Sequence, residues 1–126
     1  MGEQENRQSV EQLWGILEKQ DWDSARGYFH EDFVQEWPQS GERIRGLANS
    51  LEINKSYPDF PKMNIRRITA SGDLVTTEAT LSYPDQGTFY GVSIFEFRDG
   101  KIAKQTDYFA QPFPAPEWRS KWIEKM

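Results

Sequence analysis

The sequence predicts an α+β domain, with helices at its N-terminal end followed by a curved antiparallel sheet of consecutive strands. Three observations lead there. Residues 10–17 carry an apolar stripe with a helical period. From Lys62 onward the pattern changes to runs rich in Ile, Val, Thr, Tyr and Phe, each closed by a turn signal. The 126 residues suffice for one domain and not two, and 14% of them are aromatic, which a disordered chain would not carry.

The first helix is expected over about Asn6–Lys19. Val10, Leu13, Trp14 and Leu17 fall at i, i+3, i+4 and i+7, with Ile16 on the edge of the stripe. Ser9 with Gln12 is a candidate capping box, and an earlier start stays open. Asp23 reads as the N-cap of a short second helix to about Phe29, with Trp22 before it as a staple. Residues 32–37 read as a strand stopped by Pro38, and residues 39–46 as a loop. A third helix, about Leu47–Ser56, ends at Tyr57-Pro-Asp-Phe-Pro61, because a proline disfavours helical geometry in the residue before it. Strands follow over residues 63–68, 74–83, 88–98 and 101–111, separated by turn signals at 71–73, 84–87 and 99–100.

The tail, residues 111–126, breaks the last strand with Pro112, Pro114 and Pro116. Pro116 suits the first turn of a final short helix, which would put Trp118 and Trp122 on one face at i, i+4. Tryptophans so placed are expected out of water: over the domain's own core, over a pocket mouth, or against a second subunit.

Composition excludes several classes. With 20 acidic and 15 basic residues the net charge is -5, and no Lys/Arg stripe appears, so nucleic acid is not an expected partner. There is no cysteine, hence no disulfide, thiolate nucleophile or Cys-zinc site, and the single His30 leaves no multi-histidine metal site. His30, beside Glu31 and Asp32, reads as a surface residue. The polar N-terminus has no apolar stretch of signal-peptide type, and no run is long enough to span a membrane. The expectation is a cytoplasmic protein with no metal and no cofactor.

The order of elements resembles the nuclear transport factor 2-like superfamily, over nearly the whole chain. The resemblance is carried by an early amphipathic helix ending in Gln20-Asp-Trp22, by Tyr28-Phe-His-Glu-Asp-Phe33, and by Gly41-Glu-Arg-Ile-Arg-Gly46 before the third helix. The most specific stretch is Ile94-Phe-Glu-Phe-Arg-Asp-Gly-Lys-Ile102 followed by Asp107-Tyr108. It is similar to the closing hairpin of SnoaL-like polyketide cyclases and their relatives. The resemblance implies a cone, closed by helices and the concave side of the sheet, around a pocket for a small, largely apolar molecule. It also implies a homodimer through the convex side. It does not imply one reaction, since this fold hosts isomerases, cyclases, hydrolases and plain binding modules.

In that resemblance Asp107 falls where the cyclases carry an aspartate acting as general acid/base, a role suited to a carboxyl inside an apolar cone. Its direction depends on the hairpin before it. A three-residue loop at 98–100 puts Asp107 on one face with Gly91, Ser93, Phe95 and Gln105; a two-residue turn at Asp99-Gly100 flips the parity and sends it to the side of Val92 and Ile94. The family pattern favours the first.

Around the mouth, Trp37 can stack on a ring while Gln39 and Ser40 hydrogen-bond a carbonyl, unless Gln39-Ser40-Gly41 is only a turn. Ser93, Tyr90 and Trp118 complete the candidate ligand-binding residues. Glu96 and Glu78 read as solvated or interfacial. Aligned by the same motifs, the acidic and phenolic residues of ketosteroid isomerase fall on Leu13, Trp37 and Ser93, so that mechanism is not expected. An epoxide hydrolase would need an Asp-Arg-Asp cluster, for which Arg43 or Arg45 with Asp107 supplies two members.

Two readings therefore stand. One is an enzyme of cyclase, isomerase or hydratase type working through Asp107, with Trp37, Gln39 and Ser93 positioning the ligand. The other is a non-catalytic ligand-binding module. A filled cone would instead mark a dimerisation or partner-docking domain.

Overall fold

A computed structural model describes residues 2–57 and 59–126. Three helices precede or interrupt a six-stranded sheet: α1 (Glu3–Glu18), α2 (Trp22–Ala25), β1 (Phe29–Trp37), β2 (Glu42–Arg45), α3 (Leu47–Lys55), β3 (Lys62–Ser71), β4 (Leu74–Tyr83), β5 (Gly87–Arg98) and β6 (Lys101–Ala110). The strand order is β2-β1-β6-β5-β4-β3, a curved sheet that does not close on itself.

Helix α1 begins three residues before the expected start. Its opening turn is held by Glu5, whose carboxylate accepts from the Gly2 N–H at 3.4 Å, and the Ser9–Gln12 pair lies inside the helix. Val10, Leu13 and Leu17 are buried as the stripe requires, packed with Phe33, Val75, Phe95, Phe97 and Ile102. Each such side chain contributes roughly 1.5–3 kcal/mol through burial. The N-cap of α2 is Asp21 rather than Asp23, its carboxylate accepting from the Ser24 N–H at 3.3 Å and the Ser24 hydroxyl at 2.6 Å.

Two departures from the expected sheet matter for the site. The first is that it is mixed: β1 pairs parallel with β6, bringing Gln35 opposite Gln105. The second is β2, which residues 42–45 form by pairing antiparallel with β1 where a loop was expected. A four-residue strand with three charged residues gives almost no alternation signal by itself.

Helix α1 packs against β3 and β4, and α3 against β1 and β2. Between them the concave face of the sheet is left with a cleft.

The tail forms a 3-10 helix at Glu117–Trp122. At three residues per turn, positions four apart diverge by about 120° instead of sharing a face. Trp118 and Trp122 are accordingly not packed away: they are 73% and 71% exposed. Among the described residues no helix is long and apolar enough to cross a membrane.

Candidate active-site cleft

The direction of Asp107 is decided by a feature that turn length alone does not reveal. Arg98 pairs with Lys101, so the hairpin has the two-residue turn Asp99-Gly100, and both residues have positive φ (53° and 75°), as a type I′ turn requires. That turn by itself would send Asp107 outward. Between the pairs Phe97–Ile102 and Glu96–Lys104, however, β6 carries one extra residue, Ala103. This β-bulge reverses the parity a second time. Asp107 comes to lie opposite Ser93, on the face of Gly91, Phe95 and Gln105.

Asp107 is 3% exposed, the one buried acid among the described residues, and it has no salt-bridge partner among them. Its carboxylate accepts four hydrogen bonds. Oδ1 receives the Ser93 hydroxyl at 2.6 Å and the Gln105 amide at 2.9 Å. Oδ2 receives the Gln35 amide at 2.6 Å and the Trp37 indole N–H at 2.9 Å. Gln35 is fixed in turn by α3, where the Ser50 hydroxyl donates to its Oε1 at 2.7 Å. Removing a carboxylate from water costs on the order of several kcal/mol unless other groups replace the hydration. Here neutral donors replace it, with no cation.

These residues form one wall of a cleft of about 90 Å³ whose other walls are mostly apolar, among them Trp14, Phe29, Leu51, Phe60, Ala79, Leu81 and Gly91. At Gly91 a Cβ would lie 3.3 Å from a Leu81 methyl, so the glycine lets that side chain pack close. Towards the mouth Tyr57 and Tyr83 stand with ring centroids 6.4 Å apart. Burial pushes the Tyr83 phenol above its ordinary value, and Tyr57 adds to the shift. Trp37, Tyr57, Asp107 and Phe109 line both this cleft and a shallower recess outside it, and so form its neck.

The other candidates separate clearly. Trp37 and Ser93 meet Asp107 directly. Gln39 lies at the mouth, but its amide is taken up by the edge of β6, donating to the Phe109 carbonyl at 2.6 Å and accepting from the Phe109 N–H at 2.5 Å. Ser40 bonds Glu42 and the Trp37 carbonyl, as a turn residue does. Tyr90 does not reach the cleft: it sits opposite Thr80 and Ala110, in phase with Val92 on the outer face, and is 45% exposed. Trp118 does not reach it either, for the reason given above.

Arg43 belongs to the outer side, where its guanidinium and then Lys104 hold the Glu36 carboxyl below its ordinary value. Arg45 lines the same outer surface. Neither forms a cluster with Asp107. Glu78 and Glu96 are not inward either; Glu78 pairs with Arg67. Gln35 and Ser50 were not among the expected site residues. The signal for Gln35 was the alternation Phe33-x-Gln35-x-Trp37 in β1; Ser50 had none.

Helices packed on an open curved sheet, with a polar group buried in the concave face, define the nuclear transport factor 2-like class. Residues 10–105 match the SnoaL-like domain, and the chain belongs to that family. A nuclear transport factor 2-like protein of unknown function from Burkholderia xenovorans LB400 is 37% identical over 100% of this chain and 98% of that one, with a TM-score of 0.88. A presumed ketosteroid isomerase from Kribbella flavida is 26% identical over 98% and 90%, with a TM-score of 0.91. An LEH-like epoxide hydrolase from M. tuberculosis is 29% identical over 84% and 83%, with a TM-score of 0.72. No curated protein matches the chain significantly.

Proposed function

We propose that the protein is a proton-transfer enzyme of the cyclase or isomerase kind, acting on a small, largely apolar carbonyl compound bound in the cleft, with Asp107 as acid/base. One observation carries the reading: a buried carboxyl with neutral donors and no cation, on the wall of an otherwise apolar cleft. Structural positions seldom use an uncompensated acid, because an amide or hydroxyl fills them at lower cost.

In this reading the carboxylate takes a proton from the carbon beside the carbonyl, and the C–H electron pair moves into the enolate. Asp107 then returns the proton to another carbon, and no co-reactant is needed. Gln35 and Gln105 each spend one amide N–H on Asp107, and the second N–H of either is a candidate donor to the developing oxyanion.

The isomerase name of the Kribbella flavida protein agrees with this class, but Leu13, Trp37 and Ser93 supply no acid or phenol where the ketosteroid isomerase residues would fall. The epoxide hydrolase name of the M. tuberculosis protein agrees less well, since among the described residues the cleft has neither a second acid nor an arginine. A homodimer through the outer face of the sheet completes the proposal. Tyr90 and Tyr108 stand there 45% and 42% exposed, beside Val92 and Ile94.

The test is solvent deuterium incorporation next to the carbonyl of cyclohexanone, followed by NMR in D2O. The native protein is expected to exceed Asp107→Asn by about 10²–10⁴-fold, the range of general acid–base catalysis. Equal rates would remove catalysis and leave a ligand-binding module.

A further inference from the structure

We infer that the Trp37 indole stands in for a ligand's own hydrogen-bond donor on Asp107, so that the cleft selects small ring compounds bearing a hydroxyl or N–H. The inference rests on Asp107 being the group that faces the ligand, as proposed above.

A carboxylate offers about four acceptor positions. All four on Asp107 are occupied, two on each oxygen. Nothing that enters the cleft can bond to it until one donor leaves. Three of the donors are locked. Gln35 is held at its far end by Ser50, and both are buried. Ser93 and Gln105 are buried on β5 and β6, which are hydrogen-bonded on both sides.

Trp37 is placed differently. It is the last residue of β1, followed by the turn at Pro38, only half-buried, and its aromatic neighbour Phe109 meets its ring edge-on at 6.5 Å. It also belongs to the neck of the cleft.

Size points the same way. The cleft measures about 90 Å³, whereas the apolar cavity known to admit benzene is about 150 Å³. A ring-sized ligand needs a wall to move. Swinging the indole outward enlarges the cleft and frees Asp107 Oδ2 in the same motion. The freed acceptor is buried, so leaving it empty is costly. A ligand that brings an O–H or N–H restores the fourth bond; an apolar ligand of the same shape does not. The enol form of a ring ketone carries such a hydroxyl, and phenol is its stable analogue.

Phenol and toluene, nearly equal in shape, are the probes, with affinities measured by calorimetry and the indole N–H signals followed by NMR. The Trp37 signal is identified by its loss in Trp37→Phe, which keeps an aromatic ring and removes the donor. The native protein is expected to bind phenol about tenfold tighter than toluene, with the Trp37 signal moving on phenol addition. Trp37→Phe, which removes the bond that either probe must break, is expected to tighten both several-fold and to keep the preference for phenol.

The inference is overturned if phenol binds neither protein, if it binds without moving the Trp37 signal, or if the variant weakens phenol or leaves both probes unchanged. Asp107→Asn separates the two proposals. If that variant binds both probes as the native protein does, the ligand-facing role of Asp107 fails. If it loses the preference for phenol while Trp37→Phe changes nothing, only the role of Trp37 fails.

Discussion

Thr77, Ser93 and Asp107 stand opposite one another across β4, β5 and β6, and the fold treats the ends of that row in opposite ways. Asp107 has every acceptor position filled, while the Thr77 hydroxyl, on a residue 1% exposed, has no partner among the described residues. A buried hydroxyl without a partner is a cost that a methyl group avoids. Thr77→Val is therefore expected to stabilise the protein by about 1 kcal/mol, read from paired urea melts. A destabilisation of that size would show that the hydroxyl is satisfied by bound water. At this scale Asp107 was legible through the resemblance to SnoaL-like cyclases, and Ser93 and Trp37 as residues placed around it. Ser50 was not, because a lone polar residue on a helix ordinarily means a solvent-facing position. Gln35 shares its face with Phe33 and Trp37 by alternation, but only the pairing of β1 with β6 brings it to Asp107. Gln105 was legible as a face-mate of Asp107, but not as a donor to it.

Among the elements, the β5–β6 hairpin carries the most consequence. Its strands alternate cleanly and were readable. Its turn was expected as a three-residue loop by family pattern, whereas Asp99-Gly100 form the two-residue turn that the other alternative offered. The bulge was not readable, since Ala103 looks like any other strand residue and only the pairing register exposes it. Deleting Ala103 lets Ile102 run straight into Lys104, so the pairs Glu96–Lys104 and Ser93–Asp107 are kept and Asp107 stays inward. Deleting Thr106 instead keeps the bulge and moves Asp107 opposite Ile94, towards the outer face. The expected result is near-native stability for the first deletion and a loss of several kcal/mol in a denaturant melt for the second, because Gln35, Ser93 and Gln105 lose the acceptor they share. Equal melts for the two deletions would mean that strand register does not hold Asp107 in place. Strand β2 and the parallel pairing of β1 were missed for a related reason: both are defined by partners distant in the chain and not by local pattern.

For the molecule as a whole, the order of helices and meander was readable because each strand follows its neighbour. The outer face is where the proposed dimer is tested. Sedimentation velocity of the native chain is expected to give a dimer, and Tyr90→Glu combined with Tyr108→Glu a folded monomer, since two carboxylates would be buried without partners. A native monomer would withdraw the dimer. The exposed Phe113, Trp118 and Trp122 lie on the tail, outside the tyrosines whose replacement defines that test.

The pairing of β1 with β6 has a consequence for the birth of the protein. Gln35 and Asp107 are 72 residues apart in the chain, whereas Ser93 and Asp107 are separated by 14. At ribosomal speeds of roughly 5–20 residues per second, Gln35 waits about 4–14 s for the carboxylate it will hold. Until then β1 has only β2 and the helices for company, and the edge that β6 will cover is on offer to any chaperone or stray strand nearby. The cleft is thus finished by the final docking event of synthesis, and a chain stalled before β6 emerges carries three of the four donors without the carboxylate they hold.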